Sequence, residues 1–400
     1  MTGPSRTTLP ARSPRPDAEV DDAPTDGRIL VDRDLLALFG DGIRADPDGL
    51  PLDPAHVQPA SLDLRLGRVA HRIRAGFLPE RVPVEERLAD LATSTLSLEG
   101  EGAVLERGLI YLVPLEERLD LPPDVHGRFN PRSSTGRCDL FTRVLVEGHP
   151  RFDETPRGWT GRLWLEIAPL SFPVRLRHGD RLAQLRLQRG VAALTREELM
   201  AEYAATPLCF EGDRPLGMDA VRFDDEGALE LRVGLAGRDP CGWRAQLHTD
   251  VVEFAGEGVH DTLDFWEPMH ARKGRCILDP GRFSILASAE RLRVPPHLAA
   301  EMLPIDVGIG ELRNNYAGFF DNGFGWRGDG DGAHEEGGTP AVLEVRAHDV
   351  PFVVEDGQVF FRLRFFRTNG VPDRLYGRGR AGGSYLDQDL TLARPFRARG

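Results

Sequence analysis

Cysteine is scarce in this 400-residue chain, and its four copies, Cys138, Cys209, Cys241 and Cys276, stand far apart. None belongs to a C-x-x-C pair, which speaks against a disulfide framework and against a zinc ribbon. Reduced thiols in a cytoplasmic protein are the expectation. No apolar run approaches the roughly 20 residues that a membrane span needs. The first residues hold Arg, Pro, Thr and Asp but no apolar stretch, so no secretory signal is expected. Positive charge is also short: 50 Lys and Arg face 63 Asp and Glu, a formal net charge of -13. A nucleic-acid polymer, which favours a basic face, is therefore not an expected partner, and neither is a membrane. A small anion held by a local group of arginines remains compatible with that balance.

Familiar catalytic signatures are missing too. There is no G-x-x-x-x-G-K-[ST] phosphate loop and no G-x-S-x-G nucleophile elbow. Zinc nucleobase deaminases carry H-x-E followed by P-C-x-x-C. His334-Glu335-Glu336 imitates the first half, but no cysteine follows it, and Pro240-Cys241-Gly242-Trp243 has no second cysteine. A zinc-dependent route is rejected, and no metal-ligating residues are assigned.

What is present is 40% apolar and 28% charged, the balance of a globular protein long enough for two domains. Residues 1–27, rich in Pro, Ser, Thr, Arg and Asp, read as a disordered tail. Helical patterning covers Val31 to Phe39, with Gly40 as a stop, and Arg196 to Ala205. Elsewhere short apolar runs such as Leu109 to Val113 and Val342 to Val345, punctuated by Gly and Pro, predict an all-β architecture of short strands.

An internal repeat organises the chain. Glu117-Arg118-Leu119-Asp120-Leu121-Pro122-Pro123 recurs as Glu290-Arg291-Leu292-Arg293-Val294-Pro295-Pro296, and Gly108 as Gly281. Leu165-Glu166-Ile167 recurs as Leu343-Glu344-Val345, followed by Pro173 and Gly179 matched by Pro351 and Gly357. That second offset is a few residues longer, a difference that a loop over Gly325 to Gly338 can absorb. A weaker match joins Ser61-Leu62-Asp63-Leu64-Arg65-Leu66-Gly67 to Ala228-Leu229-Glu230-Leu231-Arg232-Val233-Gly234. The reading is a duplicated domain, residues 28–205 and 206–400.

Two features could carry chemistry. Arg132-Ser133-Ser134-Thr135-Gly136-Arg137 offers two guanidinium forks and several hydroxyls to an anion, although a plain polar turn has the same composition. The second half has Leu303-Pro304-Ile305-Asp306-Val307-Gly308 there instead. Glu166 sits in Leu163-Trp164-Leu165-Glu166-Ile167, where strand alternation puts it on the face of Trp164. A carboxylate desolvated in that way suits proton shuttling, while a solvent-facing strand residue is the alternative.

Together these pieces resemble the dCTP deaminase branch of the dUTPase superfamily, in its long duplicated form. Gln58 to Gly67 resembles its first strand motif, and Arg132-Ser133-Ser134 with Arg137 its R-S-S-x-x-R motif. Arg151-Phe152-Asp153 with Gly158-Trp159-Thr160-Gly161 resembles its R-I-D-P-G-W-S-G segment, and Leu165-Glu166 its glutamate-bearing strand. Gly179 to Leu185 resembles its closing strand, and Tyr376-Gly377 with Tyr385-Leu386-Asp387-Gln388 its nucleotide-covering tail. Glu154-Thr155 interrupts the Asp153–Gly158 segment, and Ser384 stands where the shorter relatives' tail often has Lys.

The resemblance implies a tandem pair of distorted dUTPase-like β-barrels with a few short helices, in a homo-oligomer with sites at domain interfaces. It implies zinc-independent deamination of dCTP to dUTP and ammonia, Mg²⁺ bound with the triphosphate, and dTTP as a feedback inhibitor. Glu166 is the expected base, assisted by Ser133 and Arg137. Arg132, Ser134, Arg151, Asp153, Tyr376, Tyr385 and Gln388 are the expected substrate contacts. Glu344 is the alternative base, because in this family the R-S-S residues and the glutamate can come from different subunits. Two other functions stay open: a bifunctional enzyme that continues to dUMP, for which Asp153 and Asp321 are retained, and a non-catalytic nucleotide sensor.

Overall fold

The computed structural model describes residues 26–303, 312–314, 318–326, 337–378 and 389–397. Tyr385, Gln388 and most of the Gly325–Gly338 stretch lie outside them, as does nearly all of the expected N-terminal tail.

The described chain is mainly β with a few short helices. In the first half, helix α1 (Asp32–Ala37) precedes strand β1 (Leu62–Arg65), helix α2 (Val84–Leu91), β2 (Ile110–Asp120) and β3 (Val125–Pro131). Helix α3 (Ser133–Arg137), β4 (Leu140–Val146), β5 (Thr160–Pro169), β6 (Val174–Leu176) and β7 (Arg181–Arg189) follow, and helix α4 (Arg196–Ala205) leads out. The second half contributes β8 (Ala228–Arg232), β9 (Val252–Glu253), β10 (Phe283–Leu292), β11 (Leu298–Leu303), β12 (Thr339–Ala347) and β13 (Val359–Arg367), besides shorter strands. Both helices expected from the sequence form. α1 stops short of Gly40, which takes the left-handed φ of 92°, and α4 starts at a Thr195–Glu198 capping box.

The repeat is visible in the strand pairing. In the first half β7 lies between β1 and β3, and in the second β13 lies between β8 and β11, all antiparallel. Likewise β5 pairs with β2, and β12 with β10. The correspondence reaches single hydrogen bonds. Glu117 accepts from Arg65 Nε at 2.6 Å and from its backbone N at 2.9 Å, and Glu290 accepts from Arg232 at the same two atoms and distances. The first pair is fully buried, and breaking such a pair costs about 3–5 kcal/mol. These four residues belong to two of the sequence anchors that defined the repeat.

The halves are not separate in their packing. The larger core joins Val113, Val144, Leu165 and Phe172 of the first half to Trp266, Phe283, Ile285 and Val342 of the second, and to Phe396 near the C-terminus. β6 pairs in parallel with β9 across the halves. Leu199 and Tyr203 of α4 pack into the other core, among Leu229, Leu231 and Phe361 of the second half. This mutual burial presses α3 of the first half against β12 of the second. Among the described residues, no helix is long and apolar enough to cross a membrane.

Candidate active site

α3 is a single turn between β3 and β4, and it leaves only Ser133 exposed, with Ser134, Thr135, Gly136 and Arg137 buried. Thr135 donates from Oγ1 to the Leu182 carbonyl at 2.8 Å, which pins the turn to β7. Gly136 faces the second half so closely that a Cβ built on it would stand 2.7 Å from the carboxyl carbon of Glu344. Only glycine lets that carboxylate lie against the turn. Glu344 is buried, and desolvation pushes its carboxyl up to about 8; Arg137 opposes the rise and Asp139 adds to it. Arg137 donates from Nη1 to the Thr391 carbonyl at 2.8 Å, so a C-terminal segment also reaches this point. A carboxyl poised near neutrality beside a guanidinium is suited to take and return a proton.

At the other end of α3 a cavity of about 290 Å³ opens between Arg132, Ser134, Arg181, Arg394, His56, Asp180 and residues 254–256. Behind it Asp63, fully buried, forms an ion pair with Arg132 Nε at 3.2 Å and accepts from Arg181 Nη1 at 3.1 Å and Gln184 Nε2 at 3.0 Å. The Arg181 guanidinium is held below its ordinary range by burial and then by the like charge of Arg132, with Arg394 contributing. His56 is lowered by burial first and then by Arg181. Three crowded arginines in an acidic chain form an anion-accepting cavity. The Asp180 carboxyl, pushed up to about 6 by burial, is the acidic group on its wall.

Glu166 is placed elsewhere. Its direct cross-strand neighbour on β4 is Arg143, and the two side chains pair, with Nε at 2.9 Å and Nη2 at 2.5 Å from Oε1. Arg143 in turn stacks on Phe152, 4.0 Å from the ring centre. Glu166 shares its face with Trp164 as alternation predicts, but the carboxylate set against Gly136 and Arg137 is Glu344. Within one chain it is Glu344, not Glu166, that lies against the R-S-S cluster, while Arg143, directly opposite on β4, holds the Glu166 carboxylate.

The other expected contacts divide in the same way. Arg132 and Ser134 line the cavity, whereas Arg151 is exposed and pairs with Glu154 at 3.1 Å. Asp153 accepts from the Val144 backbone N at 2.7 Å, and burial pushes its carboxyl up to about 7. Asp321, buried, takes Arg186 at 2.8 Å and Ser61 at 3.0 Å, both from the first half. Tyr376 packs on Phe324, ring centres 5.4 Å apart, and donates its backbone N to Asn322. Sequence reasoning missed His56, Asp180, Arg181 and Arg394. Arg181 stood within the quoted closing strand, while nothing local marks Arg394.

Comparison with known proteins places both halves in one family. Residues 27–191 match the family described as the 2'-deoxycytidine 5'-triphosphate deaminase (DCD) N-terminal domain, and residues 211–396 match its C-terminal domain. The crystal structure of 2'-deoxycytidine 5'-triphosphate deaminase from Agrobacterium tumefaciens is 42% identical, with a TM-score of 0.76 over 87% of this chain and 99% of that one. A dCTP deaminase of Halorubrum lacusprofundi is 34% identical over 161 residues, 39% of this chain and 75% of the relative. A protein of Acidothermus cellulolyticus named "dCTP deaminase, dUMP-forming" is 34% identical over 163 residues, 40% and 80% of the two chains. With both halves matched in order, the chain belongs to the 2'-deoxycytidine 5'-triphosphate deaminase family and is an enzyme.

Proposed function

We propose that this chain deaminates dCTP with Glu344 as the base and carries the product on to dUMP. The observation behind the first part is the Glu344 carboxyl lying against Gly136 and Arg137, at one end of a turn whose other end opens on an arginine-lined cavity. A pyrimidine nucleoside triphosphate laid along α3 puts its base near Glu344 and its phosphates among Arg132, Ser134 and Arg181. Glu344 takes a proton from water as the oxygen adds to C4 of cytosine. It passes that proton to N3, then takes the proton of the new C4 hydroxyl and gives it to the departing amine as the C4 carbonyl forms, so that dCTP and water give dUTP and ammonia. Arg137 favours the carboxylate form at the start.

The second step, dUTP and water to dUMP and pyrophosphate, is supported by the names of most relatives at this level of similarity, which are dUMP-forming. Asp180, with a carboxyl near pKa 6 on the cavity wall, is the group placed to accept a proton there. A magnesium ion arriving on the triphosphate would meet Asp180 and draw its remaining ligands from phosphate and water, as Mg²⁺ sites of one or two carboxylates do. When bound, it neutralises phosphate charge. The full-length likeness to the Agrobacterium deaminase, whose name specifies no dUMP, favours dUTP as the final product instead. Chromatography of a dCTP incubation decides. Accumulating dUMP and pyrophosphate support the proposal, dUTP alone supports the second reading, and unchanged dCTP overturns both.

A further inference from the structure

One wall of the arginine-lined cavity comes from the far end of the chain. Residues 389–397 form a strap that touches both halves, and its seat is firm. Phe396 is buried against Phe172, Phe265 and Trp266. The strap's backbone exchanges hydrogen bonds with 258–260: Gly258 N donates to the Arg394 carbonyl, His260 N to Pro395, and Arg397 N to His260, at 2.9, 3.0 and 3.0 Å. Strap and neighbour thus fix the base of the Arg394 side chain at the cavity rim. Its guanidinium pairs with Glu257 at 3.0 Å, with 42% of the Arg394 side chain and 78% of the Glu257 side chain exposed. So exposed an ion pair contributes little and exchanges readily. A polyphosphate brings several negative charges into a partly desolvated site, where each contact is stronger. We infer that Arg394 is a ligand of the triphosphate chain, held by Glu257 in the free enzyme and transferred to phosphate when nucleotide enters. This rests on the reading of the cavity as the triphosphate site. The charge of Arg394 is already felt at Arg181, which it helps to lower.

The test uses the full-length enzyme and three variants. Arg394→Ala should raise the KM for dCTP about ten- to hundredfold, the loss expected for one charge-assisted contact, with kcat within about threefold. Arg394→Lys should recover part of that loss. Glu257→Gln should lower the KM, since the competitor for Arg394 is gone. Calorimetry with inorganic tripolyphosphate should show weaker binding by Arg394→Ala than by the wild type. An unchanged KM and unchanged tripolyphosphate affinity in Arg394→Ala would overturn the inference. So would a fall in kcat alone, which would mean that Arg394 acts by seating the strap near Thr391. If wild type ignores dCTP but binds tripolyphosphate through Arg394, the anion contact stands and the deaminase reading fails, so the two are separable.

Discussion

Asp139, in the first half, and Arg346, in the second, form an ion pair across the seam between the repeats, two residues along β12 from Glu344. Asp139 stands two residues past the end of α3, takes the left-handed φ of 53° and is fully buried. It also accepts from Ser171 Oγ at 2.6 Å. Arg346 donates as well to the Gly281 carbonyl. The pair therefore ties the turn that carries Arg137 to the strand that carries Glu344, and its negative member adds to the rise of the Glu344 carboxyl.

Replacing Asp139 with Asn removes that negative charge and leaves the positive one of Arg346 nearby. Both changes favour the Glu344 carboxylate. The acid limb of the kcat–pH profile should move to lower pH, and unfolding should become easier by about 3–5 kcal/mol because a buried pair is broken. A profile measured on protein shown by circular dichroism to be folded checks this. An acid limb that stays in place or moves up would mean that Glu344 does not titrate in the rate-limiting step.

Glu344→Gln should abolish turnover, by about a hundredfold or more for loss of a proton shuttle, while dCTP binding survives. Glu166→Gln should leave turnover within a few-fold and lower stability by about 1–2 kcal/mol, since it loosens the pairing with Arg143. Single-turnover assays of the two variants side by side are decisive. A dead Glu166→Gln with an active Glu344→Gln would reverse the assignment.

Much of this was legible in the sequence, and the rest was withheld for identifiable reasons. The repeat could be read because Arg65–Glu117 and Arg232–Glu290 preserve one ion pair in both halves, and both pairs lie in contiguous motifs. Strand alternation, however, gives Glu166 and Glu344 equal standing. What separates them is their neighbours: Arg143 stands directly opposite Glu166, a register set by how the β4–β5 hairpin closes, and the Glu154-Thr155 interruption hides that closure. The approach of Gly136 to Glu344 depends on how one repeat docks on the other. So does the arrival of Arg394, which no pattern near residue 394 announces.

Stability should carry the mark of Glu344 as well. Its carboxyl rises from an ordinary 4.5 to about 8 in the folded protein. Between those values the folded state keeps a proton that the unfolded state has released. Stability therefore falls as pH rises through that window, by a few kcal/mol at most, on the order of the linkage for such a shift. Glu344→Gln cannot ionise and escapes that cost, so its Tm should gain on wild type between pH 5 and pH 9. Parallel Tm curves would show that the carboxyl titrates normally.

Metal dependence follows from the ligand chemistry. Among the described residues no group of three His, Cys, Asp or Glu is placed to hold an ion. The proposal that the cation arrives on the triphosphate and meets Asp180 predicts that Mg²⁺ supports activity with zinc dispensable. Turnover should vanish with EDTA and return with Mg²⁺ alone. Stoichiometric zinc by elemental analysis, with activity lost on its removal, would contradict this.

Gly136→Ala offers the sharpest probe of the site's geometry. A methyl group there collides with the Glu344 carboxylate and with nothing nearer, since the three closest atoms are all in that carboxyl group. The end of a glutamate side chain can swing aside, so the cost to the fold should be small, about 1 kcal/mol, and alanine suits a helical turn better than glycine. The cost to chemistry should be large, because the swing displaces the proposed base, and displacements near 1 Å cost about a hundredfold. The expected result is a kcat lowered by about that factor, a KM for dCTP changed little and a Tm nearly unchanged. The control is the Gly136→Ala change made in the Glu344→Gln background. There the residual rate should fall no further, because the methyl group acts only through the carboxyl it displaces. A second, independent loss of rate in that background would place the work of Gly136 in the turn itself and not in its contact with Glu344.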